Sequence, residues 1–304
     1  MRSRCRCTES RGQLGNLGSV TSPVEPPEHV RQTFGLTAHP PIAMGDQWVG
    51  GWRVGEVVLS MVPDHARAAW SAATRENLYI AGLRIARPFR STDGRYVVSG
   101  WRADTYIAGS PEPRYDEVLQ VAERLHSALT KLERPRFLLQ PPAPPYTDVD
   151  VFAAADRAAW EDQPMRTARA AGMTEPMTDD GRTSLDAVKT LAGLRRPVTS
   201  PSQIVHGDLF GTVLFAGAAA PGITDLVPYW RPASWAAAVV AVDSLAWGGA
   251  DENLLDRWSD QPEWGQMLLR ATMFRLAVHA LHPRSTAGAL PGLLRVVDLV
   301  RLRV

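Results

Sequence analysis

The chain is nearly without lysine. Of its 33 basic residues only Lys131 and Lys189 are lysines, and the rest are arginines. A site that needs a lysine ammonium can find it only at those two places. Cysteine is equally scarce: Cys5 and Cys7, in an arginine-rich start, are the only two. So close together, they suit neither a core disulfide nor a four-ligand zinc site, and a reducing cytosol is the expected location. No charge of one sign dominates, since 33 basic residues face 32 acidic ones for a net +1. Nucleic acid is therefore not an expected partner. Long apolar runs are missing too. The most apolar stretch, 235–250, is interrupted by Asp243 and closes on Gly248-Gly249, so no membrane span is expected. No apolar run of signal-peptide length follows the basic start.

What is present is enough for a folded protein. The 304 residues are 45% hydrophobic and 21% charged, room for two lobes or one large domain. Residues 1–27 are polar, with scattered Gly, Ser and Pro and no period, and read as a disordered tail. Glycines 45, 50 and 51 make a glycine-rich turn. A strand follows over 56–62. Asp64 is placed to cap a helix, with Ala66, Ala69, Trp70, Ala73 and Asn77 as its stripe. Two more strands are expected over 85–89 and 96–101, with Ser91-Thr-Asp-Gly94 turning between them. Residues 28–104 thus read as an antiparallel sheet lobe carrying one helix.

Residues 105–304 read as mainly helical. A helix over 114–132 buries Val118, Val121, Ala122, Leu125 and Leu129, with His126 beside that stripe as a hydrogen-bonded core residue. Five prolines over 135–145 exclude regular structure there. Residues 161–182 are polar and without period, as a mobile surface segment would be. Helices are expected over 150–160, 185–194, 235–247 with Ser234 as N-cap, 251–258, 263–281 (amphipathic) and 288–302.

The stretch that organises the rest is Gln203-Ile-Val-His206-Gly207-Asp208-Leu209-Phe210-Gly211-Thr212-Val213-Leu214-Phe215, a strand, a tight loop and a strand. A short strand then ends on Asp225. Two strands that deliver carboxylates to one end suit phosphoryl transfer, where one Asp accepts a hydroxyl proton and another holds Mg²⁺. They equally suit a β-hairpin whose Asp residues cap turns.

A glycine-turn sheet with one helix, followed by a helical lobe with a two-carboxylate insert, is the kinase-like order of elements. His206-Gly207-Asp208-Leu209, then Val213-Leu214-Phe215 and Ile223-Thr224-Asp225, resemble the catalytic and metal loops of the aminoglycoside phosphotransferase and choline kinase superfamily. Leu125-His126 resembles the Leu-His pair that precedes the loop. The segments Arg87–Arg95, Gly100-Trp-Arg-Ala-Asp104, Pro228-Tyr-Trp-Arg-Pro232 and Trp247-Gly-Gly-Ala-Asp251 resemble an actinobacterial phosphotransferase-like family.

The resemblance implies a two-lobe α+β fold of the protein-kinase type, with ATP and Mg²⁺ in the cleft and a hydroxylated small molecule as acceptor. It implies that Asp208 is the catalytic base, that His206 holds the loop, and that Asp225 chelates Mg²⁺. Gly45, Gly50 and Gly51 would cover the phosphates. Two positions depart from the pattern. Thr212 stands where an Asn is the second metal ligand. Ser60 stands where the sheet carries a phosphate-binding Lys, and neither Lys131 nor Lys189 lies in that lobe. Arg53, on the neighbouring strand, is the candidate substitute. Glu76 stands where the Lys-pairing Glu of the helix would be. Three functions are therefore open: a small-molecule kinase, a degenerate kinase-fold protein that binds a nucleotide, metabolite or partner, and a structural partner using some of its ten tryptophans.

Overall fold

The computed structural model describes residues 24–48, 50–140, 147–162, 166 and 177–304. Most of the expected tail over 1–27 and of the polar stretch over 161–182 lies outside them. The first lobe holds α1 (Glu28–Thr33), β1 (Ile42–Ala43), β2 (Trp52–Val54), β3 (Val57–Met61), α2 (His65–Asn77), β4 (Arg84–Ile85), β5 (Pro88–Phe89), β6 (Val97–Val98) and β7 (Trp101–Thr105). Its sheet runs β1-β2-β3-β7-β5, with β6 on β7, and every pair in it is antiparallel.

Strand alternation gives that sheet two different faces. Val57, Leu59, Trp101 and Ala103 bury one face against Val30 and Phe34. Residues directly opposite on paired strands share a face. Ser60 lies opposite Arg102 and Val58 opposite Asp104, so these four point the other way, toward the second lobe.

Two of the expected strands are divided. The stretch 96–101 breaks at Ser99 (φ +49) and Gly100 (φ +80), which close a two-residue turn between β6 and β7. Such a turn needs positive φ at both positions, and it starts β7 at Trp101. The stretch 85–89 changes sheets midway. Ala86 donates its N–H to Ile223 O at 2.9 Å, and Arg87 donates to Thr105 Oγ1 at 2.9 Å. Arg84–Ile85 therefore join the second lobe in parallel, while Pro88–Phe89 stay with β7.

Helix α2 starts as expected: Asp64 Oδ1 accepts the Arg67 N–H at 3.0 Å, a cap worth about 1 kcal/mol. Its buried face is Ala68, Ser71, Ala72 and Arg75, not the expected stripe. A count of apolar residues misses a face whose four buried members include a serine and an arginine.

The second lobe holds α3 (Tyr115–Leu129), α4 (Asp148–Trp160), α5 (Asp179–Ala192), β8 (Gln203–His206), β9 (Leu214–Ala216), β10 (Ala219–Ile223), β11 (Pro228–Arg231), α6 (Ala233–Asp243), α7 (Asn253–Arg257), α8 (Trp264–Leu281) and α9 (Leu290–Arg301). The strands flanking Asp208 do not pair with each other, contrary to a simple hairpin. β8 pairs with β11, and β9 with β10. Helix α6 follows Pro232 rather than a Ser234 cap, Ser234 being buried. It continues as a single π turn, Ser244–Gly248. Helix α8 lies between α4, α5, α6 and α9. It is buried nearly all round, Arg270, Arg275 and His279 included, so the expected polar face is absent. Trp235, Tyr229 and Phe274 meet edge to face at centroid distances of 5.4, 5.5 and 5.7 Å. Each such pair adds about 0.5–1.5 kcal/mol, and together they hold β11 against α6 and α8. No helix among the described residues is long and apolar enough to cross a membrane.

Candidate functional site in the interlobe cleft

The loop after β8 is fixed by two neutral histidines. His126, from α3, accepts the His206 N–H on Nε2 at 3.1 Å, and His206 Nδ1 accepts the Asp208 N–H at 3.0 Å. The same His206 ring lies beside Asp225. Burial lowers its pKa to about 4 despite the nearby Asp225 charge. Burial, with His206 beside it, lowers that of His126 to about 3. Neither ring carries a proton to spare near neutral pH. Gly207 is required here, because a Cβ would stand 2.4 Å from the Tyr229 ring.

Asp208 is 8% exposed. Arg275 of α8 donates from Nη2 to its Oδ1 at 3.1 Å and from Nε to Asp243 Oδ1 at 2.7 Å. A second bond joins Arg275 Nη2 to Asp243 Oδ2. One buried guanidinium therefore bridges two buried carboxylates. Burial pushes the Asp208 carboxyl up, opposed by Arg275. Neither Arg275 nor Asp243 was singled out from the sequence as a site residue. The available signal was a charge within an apolar stretch, Asp243 at the end of α6 and Arg275 inside α8.

Asp225 is surrounded. Its Oδ1 accepts from the Ser71 hydroxyl at 2.6 Å and from the Leu226 N–H at 2.7 Å. Its Oδ2 lies 2.5 Å from Arg102 Nη1, and Arg75 Nε is 3.8 Å from Oδ1. Arg75 is fully buried and bonds Asp104 Oδ1 and Ala86 O, each at 2.7 Å. Arg102 Nε stands 3.2 Å from Asp104 Oδ2. Two arginines and two aspartates thus neutralise one another. Burial acts to raise the Asp225 carboxyl, but Arg102, Arg75 and the Ser71 hydroxyl outweigh it and hold it at about 2.

The glycine-rich turn folds down onto the cleft. Gly50 takes φ +65, and a Cβ on Gly51 would stand 2.6 Å from Ser60 Oγ. Gly45 accepts the Trp48 and Gly50 N–H groups on its carbonyl. Ser60 donates to Trp48 O at 3.5 Å. Trp48, 2% exposed, packs with Val58, Ala86 and Leu214.

The structure brings His206, Asp208, Asp225 and Thr212 to one region, with Ser60 on the sheet face above. Thr212 does not offer its hydroxyl outward: Oγ1 donates to Asp208 O at 2.7 Å and Leu209 O at 3.2 Å. Arg53 is elsewhere engaged. It donates to Gly55 O and to Glu56 Oε1, each at 2.7 Å, and lies 3.7 Å over the Tyr106 ring. The cations at Asp225 are Arg102 and Arg75 instead. Glu76 turns outward to Arg90, with two bonds of 2.8 Å, and to Tyr96 at 2.7 Å. One residue is about 100° of helix, and that rotation gives the inward position to Arg75.

These donors do not fit Mg²⁺. Both Asp225 oxygens are bonded to protein groups, two guanidiniums stand beside them, and Thr212 bonds its own loop. Among the described residues no cluster of three or more His, Cys, Asp or Glu could hold a metal ion.

No family model matches the chain, and no curated protein matches it. Solved structures do. An aminoglycoside phosphotransferase APH(4)-Ia variant, in a ternary complex with ADP and hygromycin B, matches over 90% of this chain and 97% of its own, with 14% identity and a TM-score of 0.54. Spectinomycin phosphotransferase APH(9)-Ia, with ADP and spectinomycin, matches over 90% and 96%, with 12% identity and a TM-score of 0.50. A putative fructosamine-3-kinase from Haemophilus somnus matches over 89% and 94%, with 11% identity and a TM-score of 0.50. The chain has the two-lobe α+β fold of these phosphotransferase structures.

Proposed function

We propose that this chain is a kinase-fold binding protein whose cleft takes a small anionic ligand of the nucleotide class without Mg²⁺-dependent phosphoryl transfer. The observation that carries this reading is the engagement of Asp225 by Ser71 and Arg102 on its two oxygens. A divalent ion there would have to displace Arg102, which is buried, and sit beside Arg75, which is wholly buried. Arg102 stands opposite Ser60 on the same sheet face. ADP-bound neighbours of the same fold support a nucleotide as the ligand class. A cytosolic setting and a small molecule, rather than nucleic acid or membrane, complete the reading.

Thermal melts with ATP, with and without Mg²⁺, test it, because a ligand that binds only the folded state raises the melting point. The expected result is a shift with ATP that Mg²⁺ does not enlarge, and no ATP turnover. Mg²⁺-dependent turnover that disappears in Asp208→Asn would overturn it.

A second reading, transfer to a hydroxylated small molecule, rests on Asp208. Burial raises that carboxyl, and His206 holds its backbone beside Asp225. A base needs a raised pKa and a fixed position. The turnover arm of the same experiment decides between the two.

A further inference from the structure

A cavity of about 220 Å³ lies in the second lobe, between α3, the start of β8 and the start of α6. It is smaller than the roughly 300–1,000 Å³ of a drug-sized site. Helix periodicity builds one wall, because Glu123, His126 and Ser127 of α3 share a face. Glu123 and Ser127 are exposed at the rim, while His126 is only 2% exposed. Ala233 and Ala237, one turn apart on α6, add methyl groups to the lining. Gln203 is fixed beside them, donating from Nε2 to His126 O at 2.7 Å. Gln261 donates from Nε2 to Glu123 Oε1 at 2.8 Å. No arginine or lysine lines the cavity, and Glu123 is the one carboxylate that does.

His126 has one ring nitrogen to spare. Its Nε2 accepts the His206 N–H at 3.1 Å. In a neutral imidazole the other nitrogen then carries the proton. That Nδ1–H has no hydrogen-bond partner among the described residues. Buried polar groups are nearly always paired, and a buried donor left without a partner is destabilising. More unmet donors adjoin it. Helix α6 starts without a side-chain cap, and the first N–H groups of a helix have no partner within it.

These groups select a chemistry. The His126 ring and the start of α6 call for an acceptor. The Glu123 carboxylate calls for a donor and disfavours an anion. The alanine methyls call for a C–H face. A hydroxyl both donates and accepts, so a compact molecule with several hydroxyls on a carbon frame meets all three demands.

We propose that this cavity is a second ligand site, that it takes a small uncharged polyol, and that His126 Nδ1–H is the donor that reads it. The site is separate from the cleft and does not depend on what the cleft binds. It is wired to the cleft all the same. The ring that would meet the ligand holds the His206 N–H, and His206 holds the Asp208 N–H. Hydrogen bonds in a chain polarise one another, so a hydroxyl on Nδ1 is felt at the His206 amide.

The test is an NMR titration of the whole labelled chain with myo-inositol, without nucleotide or Mg²⁺. The His126 Nδ1–H, the Ala237 methyl and the His206 amide are expected to shift together and saturate. Ser127→Leu places a larger side chain at the exposed rim and is expected to lose all three shifts. If that variant does not fold, Glu123→Leu, exposed at the same rim, serves as the second plug. No saturable shift in the wild type overturns the proposal. Shifts that persist in the plugged variant overturn it too, since the polyol then binds elsewhere. An Ala237 shift without one at His126 removes the histidine as the reader. Saturable shifts with inorganic phosphate, and none with inositol, overturn the assigned ligand class.

Discussion

Ser60 and Arg102 face each other across β3 and β7, on the side of the sheet that looks into the cleft. Arg102 reaches Asp225 from there. The cation on this face of the sheet sits on the strand beside β3, and it is a guanidinium. Arg offers a fixed planar fork where Lys offers a point charge. That fork allows one residue to contact Asp104 and Asp225 together.

The buried Arg75 makes the strongest stability prediction. Its side chain is wholly buried and bonds Asp104, Ala86 O and Ser71. Arg75→Met takes from the buried Asp104 one of its two arginines, so urea unfolding should show a loss of about 3–5 kcal/mol. The double variant Arg75→Met/Asp104→Leu should recover part of that loss, because an apolar pair can replace a buried ion pair. An unchanged midpoint in the single variant would remove Arg75 from the account.

Acid stability should carry the signature of Asp225. Its folded pKa of about 2 lies below the ordinary carboxylate value of 3.8, so the fold favours the charged form. The resulting stability is present above about pH 4 and is lost as pH falls toward 2, on the order of 2 kcal/mol in all. Asp225→Asn should be less stable than wild type at neutral pH, and the two curves should converge over that window. Curves that stay parallel from pH 5 to pH 2 would contradict the assignment.

The two histidines should be silent near neutral pH. Their folded values are about 4 for His206 and about 3 for His126, both lowered by burial. Their ring carbon protons, followed by NMR, should not titrate between about pH 5 and 8, although an ordinary histidine does. Replacing His206 by Phe leaves the buried Asp208 N–H without its acceptor and should cost about 1–3 kcal/mol.

Gly207→Ala tests the catalytic-loop packing. The added Cβ would meet the Tyr229 ring at 2.4 Å, and that ring is held by Trp235 and Phe274. Overpacking of this kind costs about 1–3 kcal/mol. The same substitution in a Tyr229→Leu background should cost less, as chemical denaturation will show.

Much of the order of elements was legible because it rests on local signals. Glycine turns, the Asp64 cap and the apolar stripe of α3 act within a few residues, and they mark the same elements in the structure. The two-lobe α+β fold followed from that order. Where local reading went astray, a distant partner had overruled it. The 85–89 strand divides because Ile223 captures Ala86, and α8 has no polar face because four helices surround it.

The site divides the same way. His206, Asp208 and Asp225 stand out by motif and spacing, and the near absence of lysine is a matter of counting. Which arginine reaches the carboxylates is not a local property. Arg53, Arg75 and Arg102 look alike in the sequence, and only strand register and helix rotation turn two of them to Asp225 and leave the third on Tyr106. The sequence by itself determined the carboxylate loops and the shortage of lysine. The tertiary structure alone decided which charges meet, because a buried ion pair depends on through-space distance and on the water excluded around it, and neither is set by spacing along the chain.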